Sequence, residues 1–421
     1  MPDHELSVRL YDRQVGTLVR TRHGARFAYA NDVVEEHLGQ PVLSLSLPVK
    51  RRPYSEGLTG SWFRGLLPEG DRLTGVCRSI GCAESDYVSV LTHIGWECAG
   101  AVSVAPFDFE PPQTKLPQSL TPPQLAAKLC ELPVYGGIDP MARVSLGGFQ
   151  EKLLVVASDV SVDSGYVVRA HWAQPDPSTI STHIIKPQPA LRYPHIIEAE
   201  AWAMVAARQA ARCSHTALLR IDEAPLSLVV ERFDRRLSNG VLERVHQEDC
   251  CQALGIPPEG KYAGIDARRG TDPTYAGIAR LLEVYGDNPT EEQCELLRQL
   301  VANLVLGNTD AHAKNYALVF WEPSVPSMAP LYDVVPVVDI EPRAKHLSMR
   351  VGGVIELESV KRVHVVEEAT SWGMLQDEVE RTIDVTLEQI VAGIESASSL
   401  YPEAGRRHRD SALRRAEQLV H

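Results

Sequence analysis

No run in this 421-residue chain reaches the ~18 consecutive apolar residues of a membrane-spanning helix. The opening M-P-D-H-E-L-S-V-R-L has neither the basic start nor the apolar stretch of a secretory leader. The expectation is a cytoplasmic chain with no membrane partner. Eight cysteines occur, none of them in a C-x-x-C; the tightest spacings are Cys250-Cys251 and Cys77 with Cys82. Zinc sites want two close ligand pairs and disulfide frameworks want short secreted chains, so the cysteines read as reduced, mostly buried thiols. Basic residues are also short: 42 Lys and Arg stand against 55 Asp and Glu, a net charge of −13. Phosphate backbones are held by a surplus of Lys and Arg, so nucleic acid is excluded as the main ligand, with the stretch Arg406 to Arg415 as a local exception.

Several catalytic signatures are missing as well. G-x-S-x-G, H-E-x-x-H and G-x-G-x-x-G do not occur. Gly255 to Lys261, G-I-P-P-E-G-K, imitates the spacing of a phosphate-binding P-loop but continues with Tyr262 where Ser or Thr would hold Mg²⁺. Two prolines stiffen it and a helical run precedes it, so it reads as a loop. What remains is ordinary globular material, 44% hydrophobic and 23% charged, long enough for two or three units with sizeable cores.

Residues 6–30 alternate apolar and polar around short turns, which predicts a small antiparallel sheet. Helices at Asp32–Leu38 and from about Ser85, and a strand A-G-A-V-S-V-A-P, complete a first unit over residues 1–109. Residues 110–124, with five prolines, read as a linker. Strands are then predicted at Ser145–Val156 (with a Gly-rich turn inside it), Gly165–Trp172, Ser181–Lys186, Ala217–Asp222 and Leu226–Phe233, with a helix Tyr193–Arg212 among them. Helical runs follow at His246–Leu254, Thr274–Tyr285, Thr290–Leu306, Asp377–Ser398 and Ala404–Val420. Strands followed by helices give an α+β fold. The expected form is a two-lobed, protein-kinase-like core, with a β-rich N-lobe over 125–233 and an all-α C-lobe over 234–421, preceded by the small N-terminal α+β subdomain.

The chemistry centres on L-G-N-T-D-A-H-A-K-N-Y-A-L-V-F, Leu306 to Phe320. Asp310 and Asn315 stand five apart, the kinase spacing in which an Asp accepts the substrate hydroxyl proton and an Asn holds Mg²⁺. Asp333, in L-Y-D-V-V-P, is the candidate second metal ligand; an ion pair is its other reading, since a carboxylate among apolar neighbours needs a cation or donors. Asp234 and Asn239 repeat the spacing, but Asn239-Gly240 is a hairpin-turn dipeptide. His312 beside Asp310 could suggest a hydrolase dyad, yet no nucleophile accompanies it. Lys186 ends the strand T-H-I-I-K-P and is placed to hold α and β phosphates, paired with Glu200 in first place or Glu198 in second. Gly147-Gly148-Phe149-Gln150 can present backbone N–H groups to phosphate, although a Gly-Gly between strands is more often simply a hairpin turn.

Taken together, L-L-P-E-G, I-G-W-E-C-A-G-A-V, S-L-G-G-F-Q-E-K, H-I-I-K-P, V-V-E-R-F-D-R, H-Q-E-D-C-C-Q-A-L-G, K-Y, N-T-D-A-H-A-K-N and L-Y-D-V-V-P resemble the HipA family of bacterial Ser/Thr protein kinases, toxins of toxin–antitoxin modules. The resemblance spans nearly the whole chain and implies ATP and Mg²⁺ as cofactors. It implies Asp310 as catalytic base, Asn315 and Asp333 as metal ligands, and Lys186 supported by Glu200 on the phosphates. The nucleotide-contacting set it implies is Gly147, Gly148, Phe149, Gln150, Glu151, Lys152, Glu231, Arg232, Phe233, His312, Lys314 and Tyr332, with Glu231 and Phe233 meeting adenine through their backbone. Ser145 matches a serine whose autophosphorylation ejects the loop and shuts the enzyme off. Leu146-Gly147 departs from the family's more usual β-branched residue and alanine, giving a looser loop. The implied partners are a helix-turn-helix antitoxin, DNA mainly through that antitoxin, and a protein substrate in translation such as an aminoacyl-tRNA synthetase. A small-molecule phosphotransferase and a catalytically silent antitoxin-binding corepressor are the alternatives. The first would lack the N-terminal blocks, and intact Asp310, Asn315, Asp333 and Lys186 weigh against the second.

Overall fold

The computed structural model describes residues 5–11, 13–110, 117–135, 152–176, 179–189, 193–263, 272–322 and 324–421. The Gly-rich turn, from Ser145 through Gly147, Gly148, Phe149, Gln150 and Glu151, lies outside them. Within the described residues, no helix is long and apolar enough to cross a membrane.

The alternation near the N-terminus does build a sheet. Strands Glu5–Leu10, Arg13–Thr21 and Gly24–Tyr29 run antiparallel, and Val102–Pro106 pairs back onto the first, giving the order third, second, first, fourth. Period-two alternation sends Leu6, Val8, Leu18 and Phe27 to one buried face. Helices Glu56–Gly65 and Tyr87–Ile94 cover it, their first turns capped by Ser55 and Asp86, whose side chains accept from the Leu58 and Ser89 amides. Trp62 and Phe63 of the former helix are wholly buried with Phe27, each worth roughly 1.5–3 kcal/mol of apolar burial.

A six-stranded sheet follows, in the order Gln118–Leu120, Tyr166–Gln174, Leu153–Asp163, His183–Pro187, Ser227–Glu231, Thr216–Leu219. Helix Ile196–Ala207 is buried on nearly every side, which is why it is apolar all round. One neighbour is the long helix Gln376–Leu400, which comes so close that a Cβ on Gly393 would lie 2.2 Å from the Ala206 carbonyl oxygen. Only glycine permits that approach.

The remainder is helical around Tyr275–Tyr285, Pro289–Leu306, Gln376–Leu400 and Pro402–Gln418, but the expectation of an all-α C-lobe is wrong. Among the described residues after 233 there are seven strands: a hairpin (Arg235–Ser238, Val241–Arg244), a three-stranded sheet (His246–Asp249, Ala317–Glu322, Val325–Met328) and a pair (His346–Val351, Val354–Glu356). The single helix expected over His246–Leu254 is also not what forms. Instead Asp249 is an N-cap, its carboxylate accepting from Gln252 N while Gln252 returns to Asp249 N. The helix begins only at Cys250, and the four residues before it pair with Ala317–Phe320. Asn239 and Gly240 turn the first hairpin with φ of 50° and 79°, the left-handed pair a tight hairpin requires.

Buried charge fastens the N-terminal unit to the rest. Glu97 accepts from the Ser181 amide and hydroxyl and pairs with Arg232 and Arg235. Arg232 also grips Asp234 through two nitrogens at 2.9 and 2.7 Å, and the Gly100 amide donates to Asp234. Glu248 accepts from the Leu45 amide and the Trp62 indole.

Candidate active site

The loop bearing Asp310 and Asn315 is shaped by how its preceding helix stops. Pro289–Leu306 ends on Gly307 at φ 74°, and a Cβ there would lie 2.7 Å from Arg415, so the left-handed cap must be glycine. The chain then folds tightly. The His312 amide donates to the Asp310 carbonyl (2.7 Å), the Asn315 amide to the His312 carbonyl (2.8 Å), and the Asn315 side-chain Nδ2 to the Asp310 carbonyl (3.0 Å). The five-residue spacing is therefore used structurally, because Asn315 closes the loop that presents Asp310. Asn308 anchors it from below, donating to Asn303 and to the Asp333 carbonyl. Asp333 holds φ 61°, an uncommon conformation for a non-glycine residue.

Lys186 lies across the cleft. Its strand His183–Pro187 pairs with Leu153–Asp163 and Ser227–Glu231, and its Nζ donates to Glu200 Oε1 at 2.6 Å and Asp333 Oδ1 at 2.7 Å. Glu198 faces His195 instead, at 3.4 Å. Burial alone would lower the lysine, but the two carboxylates outweigh it and hold it well above its ordinary value. Burial alone would raise Asp333; the charge and hydrogen bond of Lys186 bring it down to about 2. Glu200 stays raised because burial exceeds what Lys186 returns. Burial also raises Asp310, against the Tyr262 hydroxyl that donates to its Oδ1 at 3.1 Å. His312 is pushed down to about 3 by burial and then by Lys261, so it is neutral. Burial, Arg72 and Lys186 bring Lys152 down to about 7.

These groups share one cavity of about 1020 Å³, lined among others by Lys152, Lys186, Glu200, Glu231, Phe233, Asp310, His312, Asn315, Tyr332 and Asp333. Phe233 and Tyr332 stack with centroids 5.6 Å apart. Two residues of the expected nucleotide-contacting set are otherwise engaged. The Arg232 guanidinium is held by Glu97, Asp234 and Ser181, which leaves its peptide rather than its side chain for a ligand. The Lys314 ammonium donates to Asp249 (2.8 Å) and the Gly65 carbonyl (3.1 Å), so it ties parts of the protein together.

The residues fit a magnesium nucleotide. Asn315 Oδ1 accepts no hydrogen bond among the described residues, and the Asp333 side chain is 40% exposed. Buried polar atoms of Glu69, Glu200, Asn308, Thr309 and His312 on the cavity lack hydrogen-bond partners there. Carboxylate and amide oxygens are what Mg²⁺ takes from a protein when phosphates supply the rest of its shell.

Comparison with known proteins shows the family. Residues 6–105 match the HipA N-terminal domain and residues 144–394 the HipA-like C-terminal domain. The chain belongs to the HipA family. It is 31% identical over 417 residues to a putative kinase of Sinorhizobium fredii, covering 94% of this chain and 93% of that one. It is 27% identical over 361 residues to the serine/threonine-protein kinase toxin HipA of Shewanella oneidensis, covering 82% and 78%. Its fold matches a chain of the Shewanella oneidensis toxin–antitoxin complex of HipA, HipB and operator DNA, with a TM-score of 0.82 at 22% identity over 99% of this chain and 97% of that one.

Sequence reasoning assigns no role to Glu69, Lys261 or Tyr262, all on the cavity wall. The signal is there, since they fall in the L-L-P-E-G and K-Y blocks that help to carry the resemblance.

Proposed function

We propose that this HipA-family member is an ATP- and Mg²⁺-dependent serine/threonine protein kinase and the toxin of a bacterial toxin–antitoxin module. One observation carries the reading: Lys186 Nζ lies 2.6 Å from Glu200 and 2.7 Å from Asp333, on the same cavity as Asp310 and Asn315. That set is what phosphoryl transfer needs, because catalysis there is positioning and charge stabilisation. Asp310 accepts the proton of the attacking hydroxyl, and Lys186 holds the α and β phosphates with Glu200 fixing it. Asn315 and Asp333 hold the metal, which when bound neutralises charge developing on the phosphates. Glu231 and Phe233 offer backbone groups to the adenine.

The division into residues 1–109, a linker 110–124, an N-lobe 125–233 and a C-lobe 234–421 with its small sheets is part of this proposal. So are a helix-turn-helix antitoxin, DNA contact mainly through it, a translation component as substrate, a cytoplasmic location and Ser145 as an autophosphorylated off-switch. The family resemblance supports them. A kinase reading is favoured over a silent corepressor because Lys186, Glu200 and Asp333 are already in contact.

Asp310→Asn and Asp333→Ala are expected to abolish phosphate incorporation from radiolabelled ATP while leaving the far-UV circular dichroism unchanged. Undiminished incorporation in either variant removes the assigned role.

A further inference from the structure

The N-terminal unit reaches the catalytic cavity itself, where Gly65 and Glu69 form part of the wall. Glu69 directly precedes helix Gly70–Ile80, an N-cap position, yet its side chain makes no capping bond. Its carboxylate extends instead across the interface, accepting from Lys261 Nζ at 2.7 Å and lying 3.7 Å from Lys314 Nζ. Asp249 completes the group, accepting from Lys314 at 2.8 Å. The four side chains are only 5 to 15% exposed, so two cations and two anions are matched where water screens them little.

Both lysines lead to the reacting groups. Lys261 precedes Tyr262, whose hydroxyl donates to Asp310 Oδ1, and the Lys261 carbonyl accepts from the Ala313 amide of the catalytic loop at 3.3 Å. Lys314 is the neighbour of Asn315 in the same 3-10 turn. One carboxylate thus restrains the segment that orients Asp310 and the turn that carries Asn315. Among the described residues, none of Lys186, Glu200 and Asp333 bonds to Glu69, and the ion-pair partners of Lys186 are the other two.

We propose that Glu69 is a positioning residue for phosphoryl transfer, through which the N-terminal unit sets Asp310 and Asn315 by way of Lys261 and Lys314. The inference rests on the kinase reading above. Glu69 touches no reactant; it acts through the two lysines.

Glu69→Gln keeps the shape of the side chain and removes the negative charge that both lysines face. A displacement of about 1 Å in a reacting group can cost on the order of a hundredfold in rate. The expected result in the full-length protein is therefore a fall of about a hundredfold in kcat per nucleotide-binding site, with KM for ATP changed less than about threefold. Counting sites by stoichiometric nucleotide binding separates this from loss of folded protein, which lowers the number of sites and not the rate of each. Glu69→Asp keeps the charge with a shorter reach, and its kcat should fall by about tenfold. Because Glu69 acts through Lys261, Glu69→Gln in a Lys261→Met background should add little to the loss from Lys261→Met alone.

Unchanged kcat per site in both Glu69 variants, or fully additive losses with Lys261→Met, overturns the inference and leaves the kinase reading standing. A wild-type protein that binds nucleotide and transfers no phosphate to any acceptor overturns the kinase reading and this inference with it.

Discussion

Removing Lys186 should destabilise the protein by an amount that grows with pH, because this lysine is the shared cation of two carboxylates. Glu200 is 1% exposed and lies 2.6 Å from Nζ, and Asp333 lies 2.7 Å from it with 40% of its side chain exposed. In Lys186→Met the aliphatic stem is kept and only charge and hydrogen bonds go. The two carboxylates, about 5 Å apart at most, would repel by roughly 3 kcal/mol at an effective dielectric constant of 20. Exposure of Asp333 screens part of that. Most of the loss comes from Glu200, already raised above its ordinary 4.5 by burial and raised further without its cation. An acid whose folded pKa is raised contributes stability below its unfolded pKa and loses it as pH rises towards the folded one. Each unit above 4.5 at which the folded state keeps the proton costs about 1.4 kcal/mol. The loss in Lys186→Met is then about 1 kcal/mol at pH 5 and about 3–5 kcal/mol at pH 8, the range for breaking a buried ion pair. Urea unfolding at the two pH values measures it, and adding Glu200→Gln should return most of the loss at pH 8. An equal loss at both pH values, or no recovery in the double variant, refutes the reasoning.

Two further outcomes follow from particular residues. Ser145, placed by the sequence beside two glycines and Lys152, should carry phosphate by mass spectrometry after the active enzyme is incubated with ATP, and Asp310→Asn should carry none; phosphate adds nearly two negative charges beside those of ATP, so nucleotide affinity should fall. Glu248 is wholly buried and its carboxyl is pushed up to about 7, chiefly by burial, so wild-type stability should drop by up to about 3 kcal/mol between pH 4.5 and 7; Glu248→Gln should flatten that slope in urea titrations, and an unaltered slope would show that another group is responsible.

What is legible in the sequence follows from how far apart the interacting residues lie. Asp310 and Asn315 bond to each other's loop across five residues, so a spacing rule can find them. Lys186 and Glu200 are separated by one strand end and one helix start, and the pattern of strand then helix with an acid on it is enough to name the pair. The strand His246–Asp249 escapes such rules because its partner begins about seventy residues later, at Ala317. Locally the stretch offers only a polar run leading into an apolar helix, and the capping Asp249 that separates the two reads equally well as a helical residue. Period and propensity carry no information about a ladder formed with a distant segment.

The same reasoning explains why the N-terminal blocks point to a family and to no mechanism. Glu97 meets Arg232 and Arg235, Glu248 meets Leu45 and Trp62, and Glu69 meets Lys261 and Lys314. Each contact joins residues more than a hundred positions apart. A buried charge is costly without a counter-charge or donors, so each acid commits partners across the interface: Glu97 of I-G-W-E-C-A-G-A-V meets V-V-E-R-F-D-R, Glu69 of L-L-P-E-G meets Lys261 of K-Y, and Glu248 of H-Q-E-D takes neutral donors from Leu45 and Trp62. Read singly they have no chemistry. Paired in space, they make the N-terminal unit part of the wall of the cavity, and through Glu69 that unit supplies a charge to Lys261 and Lys314, next to the segments that carry Tyr262 and Asn315.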